Sequence, residues 1–193
     1  VNSILLAVVT CMVCIVAGPA TAYLKVRKNS KAAKMFESAA SLTYALPGIV
    51  LALAMIFHWT IVPGVYGTVK ILMIAYATRY VVLQIKGSTT AMLSVEPALE
   101  EAGRVFGAGK VTIWRKIMIP VMAKQILSSS FLIFVSSLTE LTLSSMLASA
   151  GTKTIGLTIF NLQQGGDYSL SAAMSAVIVF IVFFVYSLVA LVK

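Results

Sequence analysis

Few residues in this chain are of a type that does chemistry, and their spacing restricts what that chemistry can be. Cys11 and Cys14 stand as C-x-x-C, a spacing that serves dithiol exchange or metal ligation. Both lie inside an apolar run, where two small buried side chains are the better account. His58 sits beside Trp59 at the end of an apolar segment, the place of an interfacial residue rather than of a ligand. Residues 106–112 read F-G-A-G-K-V-T and look like a phosphate-binding loop. That loop needs G-x-x-x-x-G-K followed by Ser or Thr, whereas Arg104 stands where its first glycine belongs and Val111 follows Lys110. The sequence holds no His cluster, carboxylate dyad or H-E-x-x-H. The expectation is a chain with no catalytic site, no metal site and no cofactor of its own.

One acid is different. Glu140 lies well inside a hydrophobic segment, about 22 Å along a helix from residue 125 and so past the middle of a ~30 Å bilayer core. Ser136, Ser137, Glu140 and Ser144 recur at three- and four-residue steps, which would put them on one helix face. An acid at that depth is costly unless it faces protein or water. Two readings stay open: Glu140 with the three serines lines a translocation path near its outer mouth, or Glu140 is a structural partner for a helix terminus or a basic residue. The serines on their own read as helix-packing contacts.

What must position these residues is membrane-spanning helix. The 193 residues are 60% hydrophobic and only 11% charged, with mean hydropathy +0.98. A soluble domain is closer to half apolar and a quarter charged. The net charge of +9 sits in short loops, which points to topology and not to nucleic acid. The sequence reads as one all-α integral membrane domain over 1–193, with about five transmembrane helices at 4–23, 39–59, 67–83, 125–148 and 170–192. Gly18-Pro19 and Pro47-Gly48 are breakers that neighbouring helices can tolerate. Lys70 and Arg79 lie near the ends of the third segment, where they either snorkel or, for Arg79, pair with a carboxylate on another helix. The chain starts already apolar at Val1 and ends on Lys193 after an apolar run, which reads as a fragment or as trimmed ends and leaves room for an additional helix upstream of Val1.

Five cations fall at 25–34, namely Lys25, Arg27, Lys28, Lys31 and Lys34, and are read as a solvated collar. Six more fall in the loop 84–124. With Lys193, twelve of the 15 Lys and Arg residues lie on one side, which makes that side cytoplasmic. The link 60–66 and the outer loop 150–169 face the other way, and 155–163 reads as a short helix lying across the outer face.

The loop 84–124 is too long for a plain connector. From Val95, small or apolar residues recur at Ala98, Leu99, Ala102, Val105 and Phe106, a helical stripe, while Glu96, Glu100 and Arg104 take another side. Ser94 reads as the cap, with Pro97 in the first turn. Gly107 and Gly109 end this helix. A second run, 112–119, should stop or kink at Pro120. By periodicity alone such a helix lies on lipid headgroups or docks on a partner.

The spacing is more specific. Glu101-Ala102-Gly103, three residues, Gly107, nine residues, Ile117, one residue and Ile119-Pro120 resembles the E-A-A-x3-G-x9-I-x-L-P signature of permease subunits of type I, binding-protein-dependent ABC importers. Gly103 replaces the second Ala and Ile119 replaces Leu. The phrase Y-A-L-P-G-I-V-L-A at 44–52 is similar to permeases of the ferric-iron, polyamine, sulfate and phosphonate branch. The resemblance implies a membrane subunit of an ATP-driven importer in a bacterial-type cytoplasmic (inner) membrane, with ferric iron or another small solute delivered by an extracytoplasmic binding protein. It implies that Glu96, Leu99, Glu100, Glu101, Ala102, Gly103, Arg104, Phe106, Gly107, Ile117 and Pro120 couple the membrane helices to a cytoplasmic ATPase subunit. ATP and Mg would be bound by that partner, and a second permease copy or homologous half would complete the path. The rival class is an ion-coupled secondary transporter or channel subunit, which should show inverted repeats and midplane ionisable residues. The sequence offers Glu140 alone.

Overall fold

The computed structural model describes residues 1–191, so Val192, the expected end of the fifth segment, and Lys193 lie outside the described residues. Among the described residues the chain is helical throughout: α1 (Asn2–Val26), α2 (Lys31–Ala45), α3 (Gly48–Trp59), α4 (Val69–Ser94), α5 (Pro97–Val105), α6 (Lys110–Ile113), a π turn (Trp114–Met118), α7 (Ile119–Leu138), α8 (Thr142–Leu147), α9 (Ile155–Gln164) and α10 (Tyr168–Leu191). Three helical stretches are long and apolar enough to cross a bilayer: α1, the continuous run Lys110–Leu138, and α10. The bent pair α2–α3 counts as a fourth if taken as one span.

At the centre α4 packs against α1 and α7. Its side chains are buried around much of its circumference, from Ile71 and Leu72 to Ala91 and Met92. The expected third segment, 67–83, is only the first part of α4, which continues to Ser94. Polarity hid the continuation. Gln84 and Ser88 are fully buried, and Gln84 donates Nε2–H to the Ile126 carbonyl at 3.3 Å while accepting from the Ser130 hydroxyl at 3.1 Å. Polar residues that face protein and not water need no loop. Close approach does the rest. A Cβ on Gly18 of α1 would meet the Gln84 Cγ at 2.4 Å and its backbone carbon at 2.9 Å, so only glycine lets these two helices touch.

The second expected segment, 39–59, is two helices. α2 ends at Ala45 and α3 starts at Gly48, bent by 113° across Leu46-Pro47. Proline pushes Leu46 into extended backbone, ψ 143°. The fourth segment, 125–148, also differs. α7 stops at Leu138, and α8 begins at Thr142. The single face extrapolated through Ser136, Ser137, Glu140 and Ser144 therefore does not exist as one helix face. Ser137, Glu140 and Ser144 are nonetheless all buried.

The outer short helix predicted at 155–163 is present as α9. It is tied to the start of the chain: Asn2 Nδ2 donates to the carbonyls of Gly151 and Lys153, both at 3.1 Å, and the Ser3 hydroxyl accepts from Ile155 N–H at 2.7 Å. The Ser149 hydroxyl donates to the Gly67 carbonyl at 2.9 Å. Residues 2–3, 67 and 149–155 thus gather at one end of the bundle, as the charge-based topology expects. Arg27, Glu37, Lys86 and α5 gather at the other.

Candidate functional site

α5 and the turn after it form the feature on which the sequence concentrates its motif. Glu96 holds the N-cap position and Pro97 the first helical position, where a missing N–H costs nothing. Ser94 is not the cap, because it is still in α4 and its hydroxyl donates back to Ala91 O at 2.8 Å. The C-terminus closes as a Schellman motif. Gly107 takes φ +77°, its N–H donates to Arg104 O at 2.9 Å, and Ala108 N–H donates to Gly103 O at 2.9 Å. Gly107 therefore ends this helix as expected, whereas Gly109 is the N-cap of α6.

The side chains of α5 divide unexpectedly. Its apolar members point out: Leu99, Val105 and Phe106 are 43%, 84% and 89% exposed. Its acid Glu100 points in and is 5% exposed. Glu100 Oε1 accepts from Arg27 Nε at 2.7 Å, and Arg27 Nη2 donates to the Val95 carbonyl at 2.5 Å. Arg104 adds a second cation 3.6 Å from Glu100 Oε2, four residues on. Arg27 departs from the solvated collar expected at 25–34. Instead it is the post that holds α5 to the end of α1, because α1 ends at Val26 and delivers residue 27 to the first turns of α5. Lys25 leaves the collar too, pairing with Glu37 at 2.5 Å, and Lys86 approaches the same carboxylate at 3.8 Å. Glu37 thereby bridges α1, α2 and α4 beside the site, a role that its isolated position in the sequence did not signal.

The motif residues split along the same line. Glu96, Glu101, Ala102, Arg104, Phe106, Gly107 and Pro120 are exposed, while Gly103 is buried and Ile117 half-buried. A Cβ on Gly103 would sit 3.1 Å from Ile117 Cδ1 and 3.2 Å from Ile113 Cγ1. So Gly103 and Ile117 touch, and the fixed spacing between them is the spacing of a helix-to-helix contact. A methyl at 103 would require Ile113 and Ile117 to give by a few tenths of an ångström.

Pro120 does not stop the second run. The helix passes through it from Lys110 to Leu138. A proline ring would strike the carbonyl four residues back in an α-helix. Here the preceding turn is a π turn, in which Ile119 N–H donates to Trp114 O, and the widened turn makes room for the ring. Trp114 in that turn stacks edge-on against Tyr23 of α1, ring centroids 5.2 Å apart. A cleft of about 470 Å³ opens beside α5, lined by Tyr23, Lys28, Arg104, Lys110 and Trp114 among others. The result is a rigidly seated rod whose apolar side faces away from its own protein.

The other candidate residues meet elsewhere. Glu140 Oε1 accepts from Thr142 Oγ1 at 2.5 Å and from Leu143 N–H at 3.0 Å, capping the first turn of α8. Its Oε2 accepts from the Tyr80 hydroxyl and lies 4.0 Å from Arg79 Nε. Of the readings open for Arg79, pairing is the one seen. Ser144 donates to the Glu140 carbonyl at 3.0 Å. The Ser136 carbonyl accepts from Tyr80 at 3.3 Å, and the Ser137 hydroxyl is buried without a hydrogen-bond partner.

Residues 14–193 match the family described as binding-protein-dependent transport system inner membrane component. The chain is similar to the ferric transport system permease protein FbpB of Actinobacillus pleuropneumoniae, 26% identical over 160 residues, covering 82% of this chain and 23% of that protein. It is also similar to the Fe(3+)-transport system permease protein FbpB 2 of Haemophilus influenzae, 22% identical over 141 residues, 72% of this chain and 28% of that protein. The chain thus spans about a quarter of the length of these curated relatives. Two inward-facing structures of the MetNI methionine ABC transporter share its fold, with TM-scores of 0.75 and 0.77, 18% and 17% identity, and coverage of 99% of this chain and 91% of theirs.

Proposed function

The chain belongs to the family of binding-protein-dependent transport system inner membrane components, and from that membership we propose that it is the membrane-spanning subunit of an ATP-driven solute importer, gripped by a separate ATPase at α5. One observation carries the reading. Leu99, Val105 and Phe106 are turned outward on a short helix at the cationic end of the bundle, while Glu100 is held inside by Arg27. A helix that merely lay on headgroups would keep its acid in water and its apolar side toward lipid beside the bundle. An apolar ridge with Glu101 on its flank fits a groove on a soluble partner, where a central aromatic anchor carries much of the binding energy. Force reaches the membrane through two joints: Arg27 to α1, and Gly103 against Ile113 and Ile117 to the long helix Lys110–Leu138.

In this proposal ATP and Mg belong to the partner, a binding protein delivers substrate at the end where Asn2, Gly67 and Ser149 meet, and a second copy or homologous half completes the path. Ferric iron is the proposed cargo, on the strength of the two ferric relatives. The test is uptake and co-purification in membranes. Phe106→Asp should leave insertion unchanged, release the ATPase and lower ATP-driven uptake at least tenfold. Unchanged co-purification with full uptake would refute the proposal.

A further inference from the structure

Two helix breaks in this fold meet at a single buried cluster. The first is Leu46-Pro47, where α2 turns through 113° into α3. The second lies between Leu138 and Thr142, where α7 gives way to α8. A break leaves carbonyls unpaired at one end and N–H groups unpaired at the other. Arg79 and Glu140 satisfy one of each. Arg79 Nη1 donates to the Leu46 carbonyl, the last acceptor before the first break, at 3.2 Å. Glu140 accepts from the Leu143 N–H of α8 at the second, at 3.0 Å.

The two residues also face one another, 4.0 Å apart, with side chains 16% and 7% exposed. Tyr80 braces both sides, donating to Glu140 and stacking edge-on with Tyr44, whose ring lies 6.0 Å from the Arg79 guanidinium carbon. The starts of α3 and α8 are in direct contact: a Cβ on Gly48 would fall 2.2 Å from Thr142 Oγ1.

We propose that Arg79 and Glu140 are positioning residues that clamp the two breaks together, so that α3 and α8 travel as one body when the bundle is driven from α5. The proposal rests on the importer reading for what drives the motion, but not for the clamp itself. Direction matters in it. Arg79 serves a carbonyl end and Glu140 an N–H end, so exchanging the two charges puts each beside the wrong helix terminus.

The test uses the full-length assembled transporter in a cysteine-free background with spin labels at Leu53→Cys on α3 and Ser145→Cys on α8, both exposed positions. The unmodified clamp should give one narrow distance distribution, the same with and without ATP. Glu140→Gln keeps an oxygen to accept from Leu143 N–H but loses the charge facing Arg79. It should broaden that distribution and cut uptake at least tenfold, with ATP hydrolysis held within twofold. Arg79→Lys, which keeps charge but lacks the two-pronged donor, should broaden it as well. The double exchange R79E/E140R should fail to restore the narrow distribution. A narrow distribution in Glu140→Gln, or restoration by the exchange, overturns the clamp. If the unmodified transporter shows no ATP-driven uptake, the importer reading fails, while the label distances still decide the clamp.

Discussion

At the residue scale the arrangement turns on Glu100. Seventy-three positions separate it from Arg27, and the pair is nearly out of water, with side chains 6% and 15% exposed. Removing one member of a fully isolated buried pair costs roughly 3–5 kcal/mol, and the loss here is smaller because Arg104 still lies 3.6 Å from Glu100. Arg27→Gln should therefore free α5 from α1, visible as new proteolytic cleavage between residues 94 and 110, and should depress uptake more than Lys28→Gln does. Equal effects from the two would show that Arg27 is one solvated cation among several. Gly107 makes a second case. Alanine there must adopt φ +77°, at a cost of roughly 1–2 kcal/mol. Gly107→Ala should weaken ATPase association measurably in a titration, and Gly107→Pro should abolish transport while insertion persists.

The i,i+4 spacing of Glu100 and Arg104 was legible in the sequence, and the structure contains that contact at 3.6 Å. That Glu100 faces inward was not legible, because its burying partner comes from a distant loop whose cations all looked alike.

At the scale of elements, hydropathy locates α1 and α10 well, since each is a long apolar run. It fails where polarity is satisfied inside the protein. Gln84 and Ser88 look like the start of a loop but are fully buried in the middle of α4. Pro120 looks like a stop but follows a π turn. Glu140 looks like part of a helix face but occupies the gap between two helices. For Gln84 and Glu140 a partner far along the chain decides the outcome, and for Pro120 it is the local π turn with its Ile119 N–H to Trp114 O bond. Close helix approach is the positive counterpart. Gly18→Val inserts atoms where Gln84 already stands, and overpacking of this kind costs about 1–3 kcal/mol. The purified variant should unfold at lower temperature than Gly64→Ala, a turn position whose φ of +76° is strained but whose surroundings are open. An equal loss at both positions would show that the α1–α4 contact is not tight.

At the scale of the whole molecule the two ends of the bundle differ in kind. One end gathers uncharged hydrogen bonds among Asn2, Ser3, Gly67, Ser149 and Ile155. The other gathers ion pairs, Lys25–Glu37, Lys86–Glu37 and Arg27–Glu100. Between them α10 presents an apolar length, on which Val179, Phe180, Phe183 and Phe184 are 65–75% exposed. α5 lies at the charged end, with Leu99, Val105 and Phe106 exposed.

A photo-crosslinking residue at Phe106 in the assembled, membrane-embedded protein tests this most directly, with one at Phe57 on α3 as the control. The account predicts that Phe106 crosslinks to the nucleotide-hydrolysing subunit, more strongly or more weakly as ATP is added, and that Phe57 does not. Crosslinking of Phe106 to lipid alone, or to a partner on the opposite face of the membrane, would contradict it.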